Sequence, residues 1–134
     1  MLSYGPDCWT AEHRNGRRTL HVRSVGMVDD DAGHAVFRAR LPQKIAGDVL
    51  MIGLGFGRDL AYLLSLSAVD RVTVIESAPA VIERFCRECP EMAGSAEIVE
   101  GEWPREGPDP AGYDWVLDTR QECRVYRIHR DGPA

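Results

Sequence analysis

The sequence predicts an α/β domain with a mainly parallel sheet, and three observations carry that expectation. Short apolar runs alternate with helix-periodic segments between Val49 and Asp118. The first run, Val49-Leu50-Met51-Ile52, ends in glycines at alternate positions, Gly53, Gly55 and Gly57. The second, Val72-Thr73-Val74-Ile75, ends in a single acid, Glu76, twenty-one residues after Gly55. A strand that turns sharply into a helix needs glycine where the backbone approaches a ligand. An acid about 20 residues further on is placed to meet a ribose diol. Together they point to an adenosine-containing cofactor.

Residues 1–45 read as an amino-terminal extension. The first fifteen are polar and turn-rich, with Gly5-Pro6 and Asn15-Gly16, and predict connecting chain. Arg18 to Val25 alternates apolar and polar side chains, the period of a half-buried strand. The run Asp29-Asp30-Asp31-Ala32-Gly33 breaks it, and Ala35 to Leu41 predicts a short helix that stops before Pro42.

The core is expected over residues 46–120. Val49 to Ile52 is continuously apolar, as in a parallel strand covered on both faces. Leu60, Leu63, Leu64 and Leu66 give Arg58 to Ser67 a helical apolar face. After the second buried strand, Val72 to Ile75, Ser77 is placed to cap a helix with Pro79 in its first turn. Val81, Ile82 and Phe85 face inward, and helical character fades at Cys89-Pro90. Ala96 to Glu100 predicts a third strand. Pro104 to Gly112, with three prolines and two glycines, predicts a loop. Tyr113 to Asp118 is a fourth strand ending in an acid.

Arg124 to Arg130 alternates again, too soon after Asp118 for a crossover helix. These two strands should therefore be antiparallel neighbours, with residues 121–134 forming an edge strand and tail.

Composition narrows the function classes. A chain of 134 residues, 44% hydrophobic and 28% charged, suits one soluble globular domain. No apolar run approaches the roughly 18 residues of a membrane helix, so no membrane partner is expected. Met1 to Asp7 has neither a basic start nor an apolar stretch, so a cytoplasmic location is expected. A net charge of −5 opposes nucleic-acid binding by counterion release. Of four cysteines, Cys86 and Cys89 form a C-x-x-C at a helix end, with no second pair or close His to complete a zinc tetrad. No metal is expected.

The glycine pattern G-x-G-x-G departs from the dinucleotide fingerprint G-x-G-x-x-G, whose third glycine would fall on Arg58. Nicotinamide and flavin binding are weakened accordingly. An amino-acid-bearing nucleoside fits better, because main-chain N–H groups at the helix terminus can meet its carboxylate. Plainer readings stay open. The glycines can serve strand–helix packing alone, Glu76 can be a surface carboxylate capping the next helix, and Asp118 can be an ordinary strand-end acid.

Residues 48–120 resemble the first half of a class I S-adenosylmethionine-dependent methyltransferase, a Rossmann-like fold. Guanidinoacetate and arginine N-methyltransferases are the most similar, followed by spermidine-synthase-like proteins. Val49 to Gly57 matches the family's first cofactor segment, and Val74-Ile75-Glu76 its ribose-binding strand end. Ile98-Val99-Glu100-Gly101-Glu102-Trp103 resembles the stretch whose Gly-x-Trp lines the adenine pocket. Tyr113 to Thr119 resembles the strand whose final Asp-Thr faces a guanidine substrate.

The cofactor set is thus Gly53, Gly55, Gly57, Glu76, Ser77, Glu102, Trp103 and Asp118, for S-adenosylmethionine. The resemblance gives the catalytic role to Asp118, which would position or deprotonate a nitrogen nucleophile, with Asp31 as a second anchor. Departures stand beside the likeness. Met51 occupies a position acidic in most methyltransferases and aliphatic in spermidine-synthase-like proteins. Pro104 and Arg105 replace acids after Trp103. The family fold continues through three more strands, whereas this sequence ends sixteen residues after Asp118.

The expected function is a small methyltransferase acting on a nitrogen of a small molecule or peptide. A catalytically silent module that binds the cofactor or a partner protein is the alternative, and a spermidine-synthase-like or NAD-dependent enzyme is the third reading. An exposed sheet edge predicts a homo-oligomer, with residues 113–130 or the amino-terminal strand at the contact.

Overall fold

At the centre of the molecule lies β5 (Gly47–Ile52), flanked by β6 (Val69–Glu76) and β8 (Trp115–Asp118), both parallel to it. The computed structural model describes residues 2–4, 9–14, 17–22, 25–29, 31–55, 57–120 and 124–128, with side chains from His34 onward. β7 (Glu97–Glu100) adds in parallel beside β6, and β9 (Arg124–Arg127) adds antiparallel beside β8. The five-stranded order is β7-β6-β5-β8-β9. This is the Rossmann-like α/β sheet with an antiparallel carboxyl-terminal edge strand that the alternation predicts.

Both faces of the central strands are covered, which is why they read as unbroken apolar runs. On one face Val49, Met51, Val72, Val74 and Leu117 pack against helices α1 (Asp31–Arg40), α2 (Arg58–Ser65) and α3 (Pro79–Glu88). Phe37, Leu60, Leu63, Val81 and Phe85 are the buried helical contributions. On the other face Leu50, Ile52, Ile75, Tyr113 and Val116 form a second cluster, partly roofed by Trp103 and Ile128. Inside it the Tyr113 hydroxyl donates to Thr73 Oγ1 at 3.0 Å, satisfying two buried polar groups at once.

Five expectations are corrected. The first fifteen residues are not merely connecting chain: β1 (Leu2–Tyr4) and β2 (Trp9–Arg14) lie there. The single strand expected over 18–25 is two, β3 (Arg17–Val22) and β4 (Val25–Asp29). All four form an antiparallel sheet in the order β1-β2-β3-β4. β2 and β3 pair up to Arg14↔Arg17, on either side of Asn15-Gly16, a dipeptide that signals a hairpin as strongly as a loop.

Next, the aspartate run does not simply separate strand from helix: Asp29 ends β4 and Asp31 opens α1, where an acid suits the helix amino terminus. The chain also turns helical again after Cys89, as α4 (Pro90–Gly94), with Pro90 in the first helical position where its missing N–H costs nothing. Lastly, Ser77 does not cap α3. The N-cap is Ala78, and the carboxylate of Glu76 accepts its N–H.

Candidate functional site

In a sheet of this order a ligand has its natural place at the carboxyl ends of β5, β6 and β8, where the connections diverge to either side. β5 ends in the turn Gly53–Gly57, whose three glycines all adopt positive φ: 95°, 55° and 88°. Two of them are also sterically required. A Cβ on Gly53 would stand 2.8 Å from Thr119 Oγ1, and one on Gly57 would collide with the Phe85 ring. Gly57 is the N-cap of α2 and has no side chain to offer, so the helix amino terminus stays open to an external acceptor.

Glu76 does more than end its strand. Its Oε1 accepts the Leu54 N–H at 2.9 Å and its Oε2 accepts the Ala78 N–H at 3.0 Å. At 8% exposure it is a buried carboxylate that joins the glycine turn to the start of α3. Each oxygen keeps a second lone pair, so a diol can still donate to it. The capping reading of this residue finds its counterpart in the Ala78 bond, although the carboxylate is buried and not on the surface.

Main-chain bonds gather the rest of the edge. Gly53 N–H donates to Ile75 O at 2.9 Å, Gly101 N–H to Glu76 O at 3.0 Å, and Thr119 N–H to Ile52 O at 3.0 Å. The Thr119 hydroxyl doubles the last link at 2.7 Å. Trp103 is partly buried against the Leu50–Ile52–Ile75 cluster. Its carbonyl accepts from Arg120 Nη1 at 2.9 Å, which brings the Trp103 loop to the end of β8.

Asp118 is not a bare carboxylate. Arg120 grips it with Nε at 3.0 Å and Nη2 at 2.8 Å, and adds its own N–H at 3.1 Å. The hydrogen bonds from the Arg120 side chain are the main reason its carboxyl lies below its ordinary range, and partial burial opposes them only in part. The guanidinium of Arg120 is held above its ordinary range by the same bond.

Of the residues singled out in the sequence, Gly53, Gly55, Gly57, Glu76, Trp103 and Asp118 are grouped along this one edge. Ser77 is exposed and makes no hydrogen bond among the described residues. Glu102 is exposed too, its carboxylate engaged by Arg105 Nη2 at 3.0 Å. Asp31 is the first residue of α1, and its side chain lies outside the described residues.

Two groups escaped sequence reasoning. Arg120 follows the strand-end acid by two residues, a spacing with no periodic signature. His34 donates from Nδ1 to Asp59 Oδ1 at 2.7 Å, linking α1 to the first turn of α2 from 25 residues away. Among the described residues no group of His, Cys, Asp or Glu is arranged to hold a metal ion, and no helix is long and apolar enough to cross a membrane.

No protein-family model and no curated protein sequence matches the chain. Solved structures do. Phosphoethanolamine N-methyltransferase 1 of Haemonchus contortus, in complex with phosphoethanolamine and S-adenosylhomocysteine, is 23% identical with a TM-score of 0.54, over 66% of this chain and 18% of that one. Spermidine synthase from Thermotoga maritima is 18% identical with a TM-score of 0.60, over 90% of this chain and 48% of that one. The fibrillarin pre-rRNA processing protein of Methanococcus jannaschii is 13% identical with a TM-score of 0.50, over 82% and 64%.

The fold is therefore that of the class I S-adenosylmethionine-dependent methyltransferases and the spermidine synthases. The chain spans less than two thirds of each of these proteins. Residues 31–134 make up less than four-fifths of the sequence, so the 90% overlap with the spermidine synthase reaches into the amino-terminal sheet as well.

Proposed function

We propose that the chain binds S-adenosylmethionine across the carboxyl ends of β5, β6 and β8 and transfers its methyl group to a nitrogen of a small molecule or peptide. One observation carries the binding half: a turn of three positive-φ glycines is tied by the Leu54 N–H to a buried acid at the end of the neighbouring strand. The cofactor's methionyl carboxylate would meet the open amino terminus of α2, and its ribose hydroxyls the remaining lone pairs of Glu76. Trp103 would flank the adenine. Methyl transfer is an in-line displacement in which orientation does most of the work, and Asp118 would position the nitrogen. The methyltransferase found with S-adenosylhomocysteine supports the cofactor, and the spermidine synthase supports a polyamine-related variant of the same site.

Calorimetric titration with S-adenosylmethionine, S-adenosylhomocysteine and NAD tests the binding half. The two adenosyl ligands are expected to bind and NAD not to; tighter binding of NAD would sink the proposal.

A second reading is a catalytically silent module that binds the cofactor or a partner protein. It is favoured by the Arg120 grip, which occupies both oxygens of Asp118. Absence of product with guanidinoacetate, arginine peptides, polyamines and small amines, together with retained cofactor binding, would select it.

Assembly as a homo-oligomer belongs to the same proposal. An antiparallel self-pair centred on β9 would set Arg124 of one copy opposite Arg127 of the other, and like charges directly opposite are destabilising. That favours the edges of the amino-terminal sheet as the contact.

A further inference from the structure

Arg120 lies across the carboxyl edge of the sheet. Its stem passes the glycine turn, with Cγ 3.6 Å from the point where a Cβ on Gly53 would stand. Beyond that point the guanidinium donates from Nε and Nη2 to the two oxygens of Asp118, and from Nη1 to the carbonyl of Trp103. One side chain thus runs from the end of β8, past the end of β5, to the loop that follows β7. Asp118 itself stands beside Ile52 in the β5–β8 register, immediately before the glycine turn. Its side chain is 19% exposed and that of Arg120 is 46% exposed, so the guanidinium faces the solvent more than the carboxylate it holds.

The form of this contact is informative. A guanidinium laid side-on against a carboxylate takes both oxygens at once, and is among the strongest hydrogen-bonded pairs available to either group. A nitrogen acceptor arriving as a guanidinium or ammonium ion would need those same two oxygens. Arg120 already holds them with a group of the same chemistry. The pair is nonetheless open to water, where ion pairs are weak enough to be exchanged. Neighbouring cations do not share the position. Arg105 is engaged with Glu102, and Arg124, opposite Asp118 in register, adds its charge without a hydrogen bond to it among the described residues.

We infer that Arg120 is an internal stand-in for a cationic acceptor: it fills a cation subsite on Asp118 in the free chain and yields it to a guanidinium or ammonium group of an incoming molecule. Treating that molecule as the methyl acceptor rests on the methyltransferase reading; the cation subsite beneath Arg120 does not. A ligand then reaches Asp118 only by displacing a tethered competitor. Its apparent affinity is lowered by the fraction of chains in which Asp118 is open.

The test uses the whole chain and methylguanidinium chloride as the probe, titrated at constant ionic strength while the Thr119 backbone amide is followed by NMR. The variants are Arg120→Gln, Arg120→Lys, and Arg120→Gln combined with Asp118→Asn. Arg120→Gln should bind the probe about tenfold more tightly than the native chain, or better. Arg120→Lys keeps a cation but loses the planar fork, so its affinity should fall between the two. It decides the matter if Arg120→Gln does not fold. The gain should vanish once Asp118→Asn is added. Affinities within about twofold of the native chain, no saturation in any form, or a gain that survives Asp118→Asn overturns the inference. S-adenosylmethionine binding is measured by calorimetry on the same samples. A native chain that binds none of it while the gain appears defeats the methyltransferase reading and leaves the stand-in in place. Cofactor binding without the gain does the reverse.

Discussion

Replacing Glu76 with Gln keeps the shape of the side chain and removes its charge, which separates bracing from ligand binding. In the native chain one oxygen accepts from Leu54 and the other from Ala78, at 2.9 and 3.0 Å. Glutamine offers a single acceptor oxygen, so one of these amides must face an NH2 group. The least costly orientation keeps the buried Leu54 bond and gives up the part-buried one to Ala78, where solvent can approach. The lost bond is to a charged group and contributes about 1.5–3 kcal/mol. In a domain of this size each kcal/mol corresponds to roughly 3–5 °C of melting temperature, so a fall of about 5–15 °C is expected.

Thermal and urea unfolding read that change, and calorimetry with S-adenosylmethionine reads the ligand. A variant that melts within about 2 °C of the native chain would refute the bracing role, since so small a shift is less than a single kcal/mol. A variant that is destabilised but binds the cofactor as tightly as before would refute the ribose contact. Glu76→Ala, which removes both functions, should weaken adenosyl binding by about 1.5–3 kcal/mol.

Three further perturbations test other parts of the structure. Gly57→Ala forces a side chain into a left-handed conformation, about 1–2 kcal/mol, and into the Phe85 ring, about 1–3 kcal/mol more, so urea unfolding should show a loss near their sum. Phe85→Leu should then recover part of the second loss. Asp118→Asn should leave cofactor binding nearly intact and suppress turnover. An equal loss of both would place Asp118 in the cofactor pocket instead. The same variant carries a pH signature. Because the folded carboxyl lies below its ordinary value of 3.8, its stabilisation is present above that pH and is lost as the pH falls through the lower folded value. The melting temperatures of native chain and Asp118→Asn should thus differ at neutral pH and converge in acid. Light scattering at micromolar concentration should return at least twice the mass of one chain, and a single-chain mass would remove the oligomer.

The parts of the fold that were legible in the sequence are those whose causes are local. Two strands buried on both faces are apolar but for Thr73, whose hydroxyl is satisfied by Tyr113, and the positive φ at Gly53, Gly55 and Gly57 leaves a spacing that can be read directly. The antiparallel β9 was legible from the shortness of its connection to β8. What escaped notice depends on partners distant in sequence or on ambiguous residues. Asn15-Gly16 signals a hairpin as well as a loop, and only the pairing of β2 with β3 decides between them. The grip of Arg120 on Asp118 depends on how the chain turns after β8, which no periodicity encodes. Ser77 is a good cap by residue type, but the helix starts one residue later, with Ala78 as N-cap and its N–H bonded to the Glu76 carboxylate.

The glycine turn is held from three sides: Leu54 by Glu76, Gly53 by Ile75, and Ile52 by both polar groups of Thr119. Glycines ordinarily make a loop soft, yet Gly53 and Gly57 are each tied by their own N–H before any ligand arrives, Gly53 to Ile75 and Gly57 to Leu54. A molecule docking against these residues has little of their backbone left to order, so its association should lose mainly its own rotational and translational freedom. Binding would then proceed at similar speed whether or not the turn is further stiffened. Its heat-capacity change should track the apolar surface buried in the contact, with no added contribution from folding of the protein.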